Sequence, residues 1–287
     1  MDLVLGRHVF PADAALVMAI VNRTPDSFYD RGATFSLDAA LARVDDVVAH
    51  GARIVDIGGV KAGPGDDVDA AEEIARTVDL VAAVRARHPN VAISVDTWRA
   101  EVAEVTCRAG ADLVNDAWGG VDPEIAGVAA SYGAALVCTH AGGLAPRTRP
   151  HRVAYDDVVA DVIGRTTALA AAAVAAGVPR ESVLIDPGHD FGKNTRHSLE
   201  VTRRLDELVT TGWHVLVSLS HKDFVGESLD VPLDDRLEGT LAATAVARWL
   251  GAQVFRAHDV VPTLRVLQMV DAIRGVRPPA VARRGLA

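Results

Sequence analysis

Eight short apolar runs, each followed by residues that can take part in chemistry, limit most strongly how this chain can fold. They lie at 16–21, 53–58, 91–95, 112–114, 135–139, 183–185, 214–220 and 254–255. Helix-like segments separate them, and the runs do not alternate with polar residues, which is typical of parallel strands buried on both faces. In a (β/α)₈ barrel the active-site residues lie at the C-terminal ends of the strands, on one face of the barrel. The pattern therefore predicts an α/β fold, a (β/α)₈ TIM barrel.

The length of 287 residues suits one large barrel domain, and no Pro/Gly/Ser-rich linker divides it, so we expect a single domain over 1–287. An open doubly wound sheet is the structural alternative. The chain contains neither GxGxxG after a first strand nor GxxxxGK[ST], so dinucleotide-binding and P-loop interpretations lack their motifs.

Charge and composition exclude several functional classes. The net charge of −9 argues against nonspecific nucleic-acid binding. The sequence shows no secretory signal and no apolar run of about 18 residues, so we expect a cytoplasmic protein that does not cross a membrane. Cys107 and Cys138 have no zinc-binding spacing and are predicted to be small buried residues.

Helix ends and long loops can also be located. The Asp-x-x-Glu patterns starting at Asp69 and at Asp235 resemble capping boxes, and Gly177 and Gly251 lie where helices should stop. The loops 22–35, 58–68 and 140–152 are long and rich in Gly, Pro, Asp or Arg. In a barrel, long loops after strands cover the substrate, so we expect 22–35 and 58–68 to close over the site.

Polar residues at the ends of three strands suggest a heterocycle site. Asp96, Asn115 and Asp186 supply two carboxylates and an amide. A carboxylate accepts two N–H bonds and an amide both donates and accepts, which fits an amino-pyrimidinone edge. The alternative is that these residues cap helices or tie loops. Phe191 either stacks on the ring or belongs to the core.

Cations on the last two strands suggest an anion site beside it. Lys222, Arg256 and His258 follow these strands, where barrels often bind phosphate, and Asn22 follows the first. Mg²⁺ keeps several waters and takes few protein ligands, so Asn22 is a candidate ligand for a metal bridged to a diphosphate. The alternative for Arg256 is an ion pair with a structural carboxylate. No GxSxG, Ser-His-Asp or HExxH motif indicates covalent or zinc chemistry.

Seven motifs, in order along nearly the whole chain, resemble those of dihydropteroate synthase. They are AIVNRTPDSFYDRG, DIGGVKAGPG, SVDT, the Asn-Asp pair at 115–116, DPGHDFGK, the SHK at 220–222 and RAHD at 256–259. The resemblance implies a (β/α)₈ barrel, commonly a homodimer, that joins 6-hydroxymethyl-7,8-dihydropterin diphosphate to p-aminobenzoate and releases pyrophosphate. It implies that Asp96, Asn115, Asp186 and Lys222 contact the pterin. It also implies that Asn22, Arg256 and His258 hold the diphosphate with Mg²⁺.

The departures from that family concentrate in the p-aminobenzoate half of the site. The first loop has Arg23 where the family has Val, and the second replaces Glu-Ser-Thr-Arg by Val60, Lys61, Ala62 and Gly63. Asp190 replaces a Gly, and Ser-Arg-Lys-Ser becomes Ser220, His221, Lys222 and Asp223. In the family the final Ser helps to bind the aminobenzoate carboxylate. Two carboxylates at ~4 Å would repel by roughly 4 kcal/mol at an effective dielectric of ~20.

Three hypotheses remain open from the sequence. The first is an active synthase in which Arg23 and Lys61 replace the lost loop arginine, and Asn22, Asp96, Lys222, Arg256 and His258 carry the reaction. The second is a divergent paralogue that binds the pterin diphosphate but uses another acceptor or acts in binding or regulation. The third, a reduced-folate methyl-transfer domain serving a corrinoid, is opposed by the anion residues and by the absence of a partner domain.

Overall fold

A computed structural model describes residues 1–24, 33–61, 63, 65–148 and 153–285 of the chain. An antiparallel hairpin, β1 (Leu3–Leu5) and β2 (His8–Phe10), precedes a closed barrel. The eight barrel strands pair in parallel in sequence order, with the last strand closing on the first. They are β3 (Leu16–Asn22), β4 (Ile54–Gly58), β5 (Ala92–Asp96), β6 (Leu113–Asp116), β7 (Ala135–Thr139), β8 (Val183–Asp186), β9 (His214–Ser218) and β10 (Val254–Ala257). The predicted (β/α)₈ barrel and its eight strands are confirmed.

Helices follow the strands and form the outer layer. Ten are described: α1 (Leu37–Ala49), α2 (Ala70–Arg87), α3 (Ala100–Ala109), α4 (Ile125–Tyr132), α5 (Val158–Ala175), α6 (Thr195–Arg203), α7 (Leu205–Val209), α8 (Asp223–Leu229), α9 (Leu237–Trp249) and α10 (Val260–Ile273). Asp69 is the N-cap of α2, and its side chain accepts the Glu72 N–H at 2.8 Å, which is one of the two bonds of the predicted capping box. The one at Asp235 is wrong, since that residue ends a 3₁₀ turn and α9 starts two residues later.

The inward face of the strands changes character along the barrel axis. Near the N-terminal ends the inward residues are apolar and fully buried, whereas two positions further along several strands they are polar. On β4 this change runs from Ile54 to Asp56, and on β10 from Val254 to Arg256. Because side chains alternate across a strand, the parallel register brings these inward polar groups together in the upper half of the barrel.

The outward face of each strand remains apolar and packs against the helices. Buried valine, isoleucine and leucine side chains from the strands and from α1, α2 and α5 form one continuous cluster. The hairpin packs its own buried residues, Leu3, Leu5 and Phe10, onto the apolar inward residues of the strands. The hydrophobic core therefore holds the strands from outside and closes the N-terminal end of the barrel.

Helix α5 has the length and apolar composition of a membrane-crossing helix, and it is the single helix of that kind in the described ranges. In the fold it lies against β7 and β8 and buries Val158, Val162 and Ala170 among its inward residues. Its first turns carry Asp157 and Asp161, which bond to other parts of the chain. These features are those of an outer-layer barrel helix. Both cysteines are buried free thiols, as predicted.

Candidate active site

A buried ion-pair network fills the upper part of the barrel. Arg256 on β10 donates from Nε to Asp56 Oδ2 at 2.6 Å and from a terminal nitrogen to Asp96 Oδ2 at 2.9 Å. Arg256 was predicted to hold a diphosphate, with pairing to a structural carboxylate as the alternative. In this structure the alternative arrangement is present, and it uses Asp96, itself a predicted pterin residue, as one partner.

Asp56 is a site residue that sequence reasoning did not select. Its side chain is fully buried at the centre of β4 and accepts a 2.6 Å bond from the Ser94 hydroxyl. The Asn115 amide nitrogen lies 3.3 Å from Oδ1. A carboxylate inside the apolar run at 53–58 was the available signal, because a charge there is costly unless it is paired.

Asp96 ends β5 with its carboxylate between the network and the barrel mouth. Burial raises the pKa of Asp96 to about 7; the nearby Arg256 guanidinium opposes this shift, while the Asp56 carboxylate adds to it. Its strand neighbour in the sheet is Asn115, a second predicted pterin residue. The structure therefore brings Asp96 and Asn115 together and makes Asp96 a group that titrates near neutral pH.

Asp186 and Lys222 lie on the opposite side of the mouth, after β8 and β9. Asp186 accepts the Gly188 N–H at 2.7 Å, and burial raises its pKa. Lys222 donates to the His189 carbonyl at 2.9 Å and lies 4.4 Å from the Phe191 ring centre, over its face. Burial lowers the pKa of Lys222, with nearby carboxylates opposing the shift. The four predicted pterin residues are thus grouped around Arg256: Asp96 is bonded to it, Asn115 contacts its partner Asp56, and Asp186 and Lys222 interact with it through their charges.

Phe191 belongs to an aromatic group at this mouth. Its ring packs edge-on against Trp118 at 4.9 Å between centres, and Trp118 in turn meets Trp98 at 6.4 Å. Trp118 is buried, whereas Phe191 and Trp98 are half-exposed. Phe191 therefore packs on a buried tryptophan and lies under Lys222, while its stacking on a ligand ring stays a prediction.

His258 lies on the side of the mouth between β3 and β10. Its Nδ1 is 3.0 Å from the Ser220 hydroxyl, and its carbonyl accepts a bond from Arg43 on α1 at 2.5 Å. A cavity of about 380 Å³ opens beside it, lined by Asn22, Arg43, Asp46, His50, His258 and the first residues of α10. The predicted diphosphate residues Asn22 and His258 thus share one cavity, and Arg43 is a cation there that the sequence did not reveal.

The described residues contain no group of three or more His, Cys, Asp or Glu side chains that could hold a metal ion. Asn22 supplies an amide oxygen that is half-exposed at the end of β3. This set fits Mg²⁺ only where a diphosphate and water provide most of the ligands, which is the usual arrangement for this ion.

Arg23 does not reach the acceptor side. Its guanidinium donates to the Phe35 carbonyl at 2.9 and 3.0 Å and to the Arg76 carbonyl at 2.8 Å. It therefore ties the first loop to α2. The prediction that Arg23 replaces the lost loop arginine is not supported by this placement, because its hydrogen-bond donors are directed to backbone oxygens.

The second loop is described in part. Ala62 and Pro64 lie outside the described residues, while Lys61 is half-buried and Gly63 accepts a bond from Arg147 at 3.3 Å. Arg147 also donates to the Asp66 carbonyl at 2.6 Å. An arginine from the 140–152 loop therefore holds this loop, which the sequence analysis did not anticipate.

His221 was placed with the acceptor residues from the sequence, and the structure corrects this. Its Nε2 lies 2.7 Å from Asp259 Oδ2, and its ring meets that of His258 at 5.9 Å between centres. Its backbone N–H is bonded to Thr240 on α9. His221 is therefore a buried neighbour of the predicted diphosphate side.

Asp223 was expected to face an acceptor carboxylate. Its side chain is 78% exposed and pairs with Arg236 at 3.0 Å. Asp223 is the first residue of α8, and this position turns the side chain outward. The repulsion worked out from the sequence is therefore weakened both by solvent and by the neighbouring guanidinium.

Asp190, in contrast, is turned inward. Its backbone adopts φ 67°, a left-handed conformation that non-glycine residues rarely take. Its carboxylate accepts bonds from the Ser198 hydroxyl at 3.0 Å and from the Phe224 N–H at 3.3 Å. Burial raises its pKa, and the Lys222 ammonium opposes that shift. The inserted carboxylate thus lies between α6, α8 and Lys222.

A buried chain of polar groups supports this loop from below. Lys193 donates to the carbonyls of Gly188 and Phe191 at 3.0 Å and lies 2.6 Å from His140 Nδ1. His140 in turn contacts Asp161 on α5 at 2.7 Å. Burial lowers the pKa of Lys193 to about 7. These contacts fix the loop that carries Asp186, Asp190 and Phe191, and were not foreseen from the sequence.

The fold and the grouping of these residues agree with comparisons to known proteins. The model of the pterin binding enzyme family matches residues 18–258. The chain belongs to this family. A 61% identical relative from Mycobacterium leprae (strain TN), spanning 100% of this chain and 99% of its own length, is named inactive dihydropteroate synthase 2. The dihydropteroate synthase of Bacillus subtilis is 37% identical over 91% of this chain and 89% of its own length.

Solved structures give the same result. A Yersinia pestis dihydropteroate synthase in complex with a sulfonamide drug matches with a TM-score of 0.91 at 34% identity, covering 96% of this chain and 100% of that one. A Xanthomonas albilineans dihydropteroate synthase with 4-aminobenzoic acid matches at 0.87 and 33% identity, covering 96% and 99%. The predicted resemblance is confirmed: this is a dihydropteroate synthase-like protein and fits a divergent paralogue.

Proposed function

We propose that this protein binds 6-hydroxymethyl-7,8-dihydropterin diphosphate at the barrel mouth but does not join it efficiently to p-aminobenzoate. One observation carries the proposal. The residues implied for the pterin are grouped around Arg256, through a bond to it, through its partner Asp56 or through charge, whereas the Arg23 guanidinium is bonded to backbone carbonyls. The name of the 61% identical relative, an inactive synthase, supports the same reading.

The pterin half-site supplies complementary hydrogen-bonding groups. The Asp96 and Asp186 carboxylates accept N–H bonds from the amino-pyrimidinone edge, and Asn115 offers both a donor and an acceptor. Lys222 contributes a positive charge beside the Phe191 face. Because these groups are buried or half-buried, each bond to an ionised carboxylate contributes more than it would in water.

The diphosphate half-site is coupled to the pterin half-site through Arg256. In this structure the guanidinium is bonded to both Asp56 and Asp96. Binding of a diphosphate oxygen draws Arg256 away from Asp96 while Asp56 keeps it oriented. The Asp96 carboxylate is then free to accept the pterin N–H groups. The diphosphate therefore takes the place of Asp96 on Arg256, and the pterin takes the place of Arg256 on Asp96.

Asn22, His258 and Arg43 complete the diphosphate side around the 380 Å³ cavity. We propose that Mg²⁺ accompanies the diphosphate with Asn22 as its protein ligand. When bound, such an ion neutralises charge that develops on a departing diphosphate. The protein itself contributes the Arg256 charge and fixed donors that require little reorganisation.

Calorimetry and a pyrophosphate assay test the proposal together. The wild-type protein with Mg²⁺ is expected to bind the pterin diphosphate, and Asp186→Asn to weaken binding at least tenfold. Addition of p-aminobenzoate is expected to leave pyrophosphate release at the background rate, measured beside an active synthase as control. Absence of binding, or release that depends on p-aminobenzoate, would contradict the proposal.

The family condensation is the second candidate, and one observation favours it: every residue implied for the pterin and the diphosphate is present. In that reaction the neutral arylamine nitrogen attacks the pterin methylene carbon. The carbon–oxygen bond breaks, its electron pair leaves with the diphosphate, and the amine proton goes to solvent. Asn22, Arg256 and His258 stabilise the leaving group.

We also propose that the protein is a cytoplasmic homodimer. Support for a dimer comes from α9 and α10, which pack together and expose Val246, Trp249, Met269 and Ile273. Large exposed apolar side chains on adjacent helices are typical of a contact surface. Two buried free thiols agree with a reducing compartment.

A further inference from the structure

Asp190 follows β8 and lies against the start of α8, where its carboxylate interacts electrostatically with Lys222. Its two oxygens are bonded to Ser198 and to the first turn of α8, so the carboxylate is held in place. The backbone N–H of Asp190 also donates to Ser198 at 3.2 Å. Three contacts thus maintain a residue whose left-handed backbone is otherwise unfavourable.

Carboxylates of the chain already act on the Lys222 ammonium without a ligand. Asp190 has the strongest opposing electrostatic effect on the ammonium, followed by Asp186 and then by the weaker effect of Asp223, while Arg256 carries the same charge as Lys222. Lys222 also donates to the His189 carbonyl. A ligand carboxylate that approaches Lys222 therefore competes with Asp190 and Asp186 for the ammonium and is repelled by both.

We propose that the acceptor side selects an uncharged ligand, such as an amine-bearing ring without a carboxylate. The chain itself provides a carboxylate on this side, that of Asp190, which accepts the Phe224 N–H of α8 and interacts electrostatically with Lys222. This inference rests on the proposed pterin diphosphate site and adds the class of ligand that lies next to the pterin. It concerns binding and requires no further reactant.

A matched pair of ring amines tests this inference. p-Aminobenzoate and p-aminobenzamide share size and nucleophile and differ in the charge of one group. Titration into the protein with pterin diphosphate and Mg²⁺ is expected to show the amide binding at least tenfold more tightly. The order of magnitude follows from one like-charge contact partly screened by solvent.

Asp190→Asn is the decisive variant, since Asn tolerates the left-handed backbone and preserves the shape of the side chain. It is expected to bring p-aminobenzoate to within about threefold of the amide. Asp223→Asn is the matched control, and because that side chain is exposed and paired with Arg236, it should change the ratio less than threefold.

The outcomes separate the two proposals. If pterin diphosphate fails to bind, the proposed function fails, and the same amine pair is titrated on the protein alone by ligand-observed NMR. Equal or tighter binding of p-aminobenzoate to the wild-type protein overturns the inference. So does a wild-type ratio that persists in Asp190→Asn, or failure of both amines to bind while pterin diphosphate remains bound.

Discussion

Replacement of Asp56 by Asn should reveal how strongly the barrel depends on its central ion-pair network. The Asp56 carboxylate is fully buried and lies 2.6 Å from both Arg256 Nε and the Ser94 hydroxyl oxygen. An Asn side chain keeps the volume but loses the charge and presents an amide donor to groups that also donate. The variant therefore leaves a buried guanidinium with one carboxylate partner instead of two.

The magnitude follows from that geometry. At 2.6 Å and an effective dielectric of ~20, the gross attraction between unit charges is roughly 6 kcal/mol. Asp96 still faces Arg256 at 2.9 Å and offsets part of the loss. We expect the free energy of unfolding to fall by about 3 to 5 kcal/mol, the usual cost of breaking one side of a buried pair. For a chain of this size, that lowers Tm by roughly 5 to 8 °C.

Urea and thermal unfolding, followed by circular dichroism at pH 8, measure this change. Asp206→Asn is the control, because Asp206 is an exposed residue of the same type in the first turn of α7. A loss below about 1 kcal/mol in Asp56→Asn, with an unchanged denaturant slope, would refute the reasoning. It would mean that Arg256 finds full compensation without Asp56.

The same variant should change the pH dependence of stability. Asp96 has a folded pKa of about 7 against an ordinary value of 3.8, so its stabilising effect is complete below the ordinary value. That contribution is lost as pH rises from about 4 towards 7. The Asp56 charge helps to raise the pKa of Asp96. In Asp56→Asn, the loss of this contribution to stability should therefore be complete at a lower pH.

Three further predictions concern ligand binding and assembly. Affinity for pterin diphosphate should rise between pH 6 and pH 8, because Asp96 must be ionised to accept N–H bonds. Calorimetry should find that the affinity of Asp96→Asn depends less on pH. The same pH dependence in both proteins would argue against Asp96 as the titrating ligand contact. Lys222→Gln should weaken pterin diphosphate binding by roughly tenfold to a hundredfold, and an unchanged Kd would exclude its contact with the ligand. Trp249→Glu should shift sedimentation towards the monomer, whereas Asp206→Asn should not; a wild-type profile in Trp249→Glu would move the dimer contact elsewhere.

Much of the fold was predictable because two features of the sequence mark each strand. Each is an apolar run, and each ends with a polar or glycine-rich segment, so position and direction both follow from the sequence. Asp56 escaped prediction for a related reason. It lies within an apolar run, and its importance depends on which face of β4 points inward, which the closed sheet determines.

The acceptor half of the site was harder to predict because side-chain direction there depends on local contacts. Arg23 turns to the Phe35 and Arg76 carbonyls, and Asp223 turns outward at the start of α8. Asp190 turns inward because a left-handed backbone and Ser198 hold it there. A sequence shows which residues gain or lose a charge, but the direction of each charged side chain depends on local contacts that the sequence does not show.

The N-terminal hairpin has a consequence for the order of events at the site. Leu3, Leu5 and Phe10 plug one end of the barrel with apolar side chains, so ligands can enter and leave by the opposite end alone. In the proposed function the pterin edge reaches Asp96 and Asn115 within β5 and β6, whereas its neighbour lies near Asp190, in the segment after β8. With one end closed in this way, the proposed function predicts an order of binding, in which the pterin diphosphate enters first and leaves last.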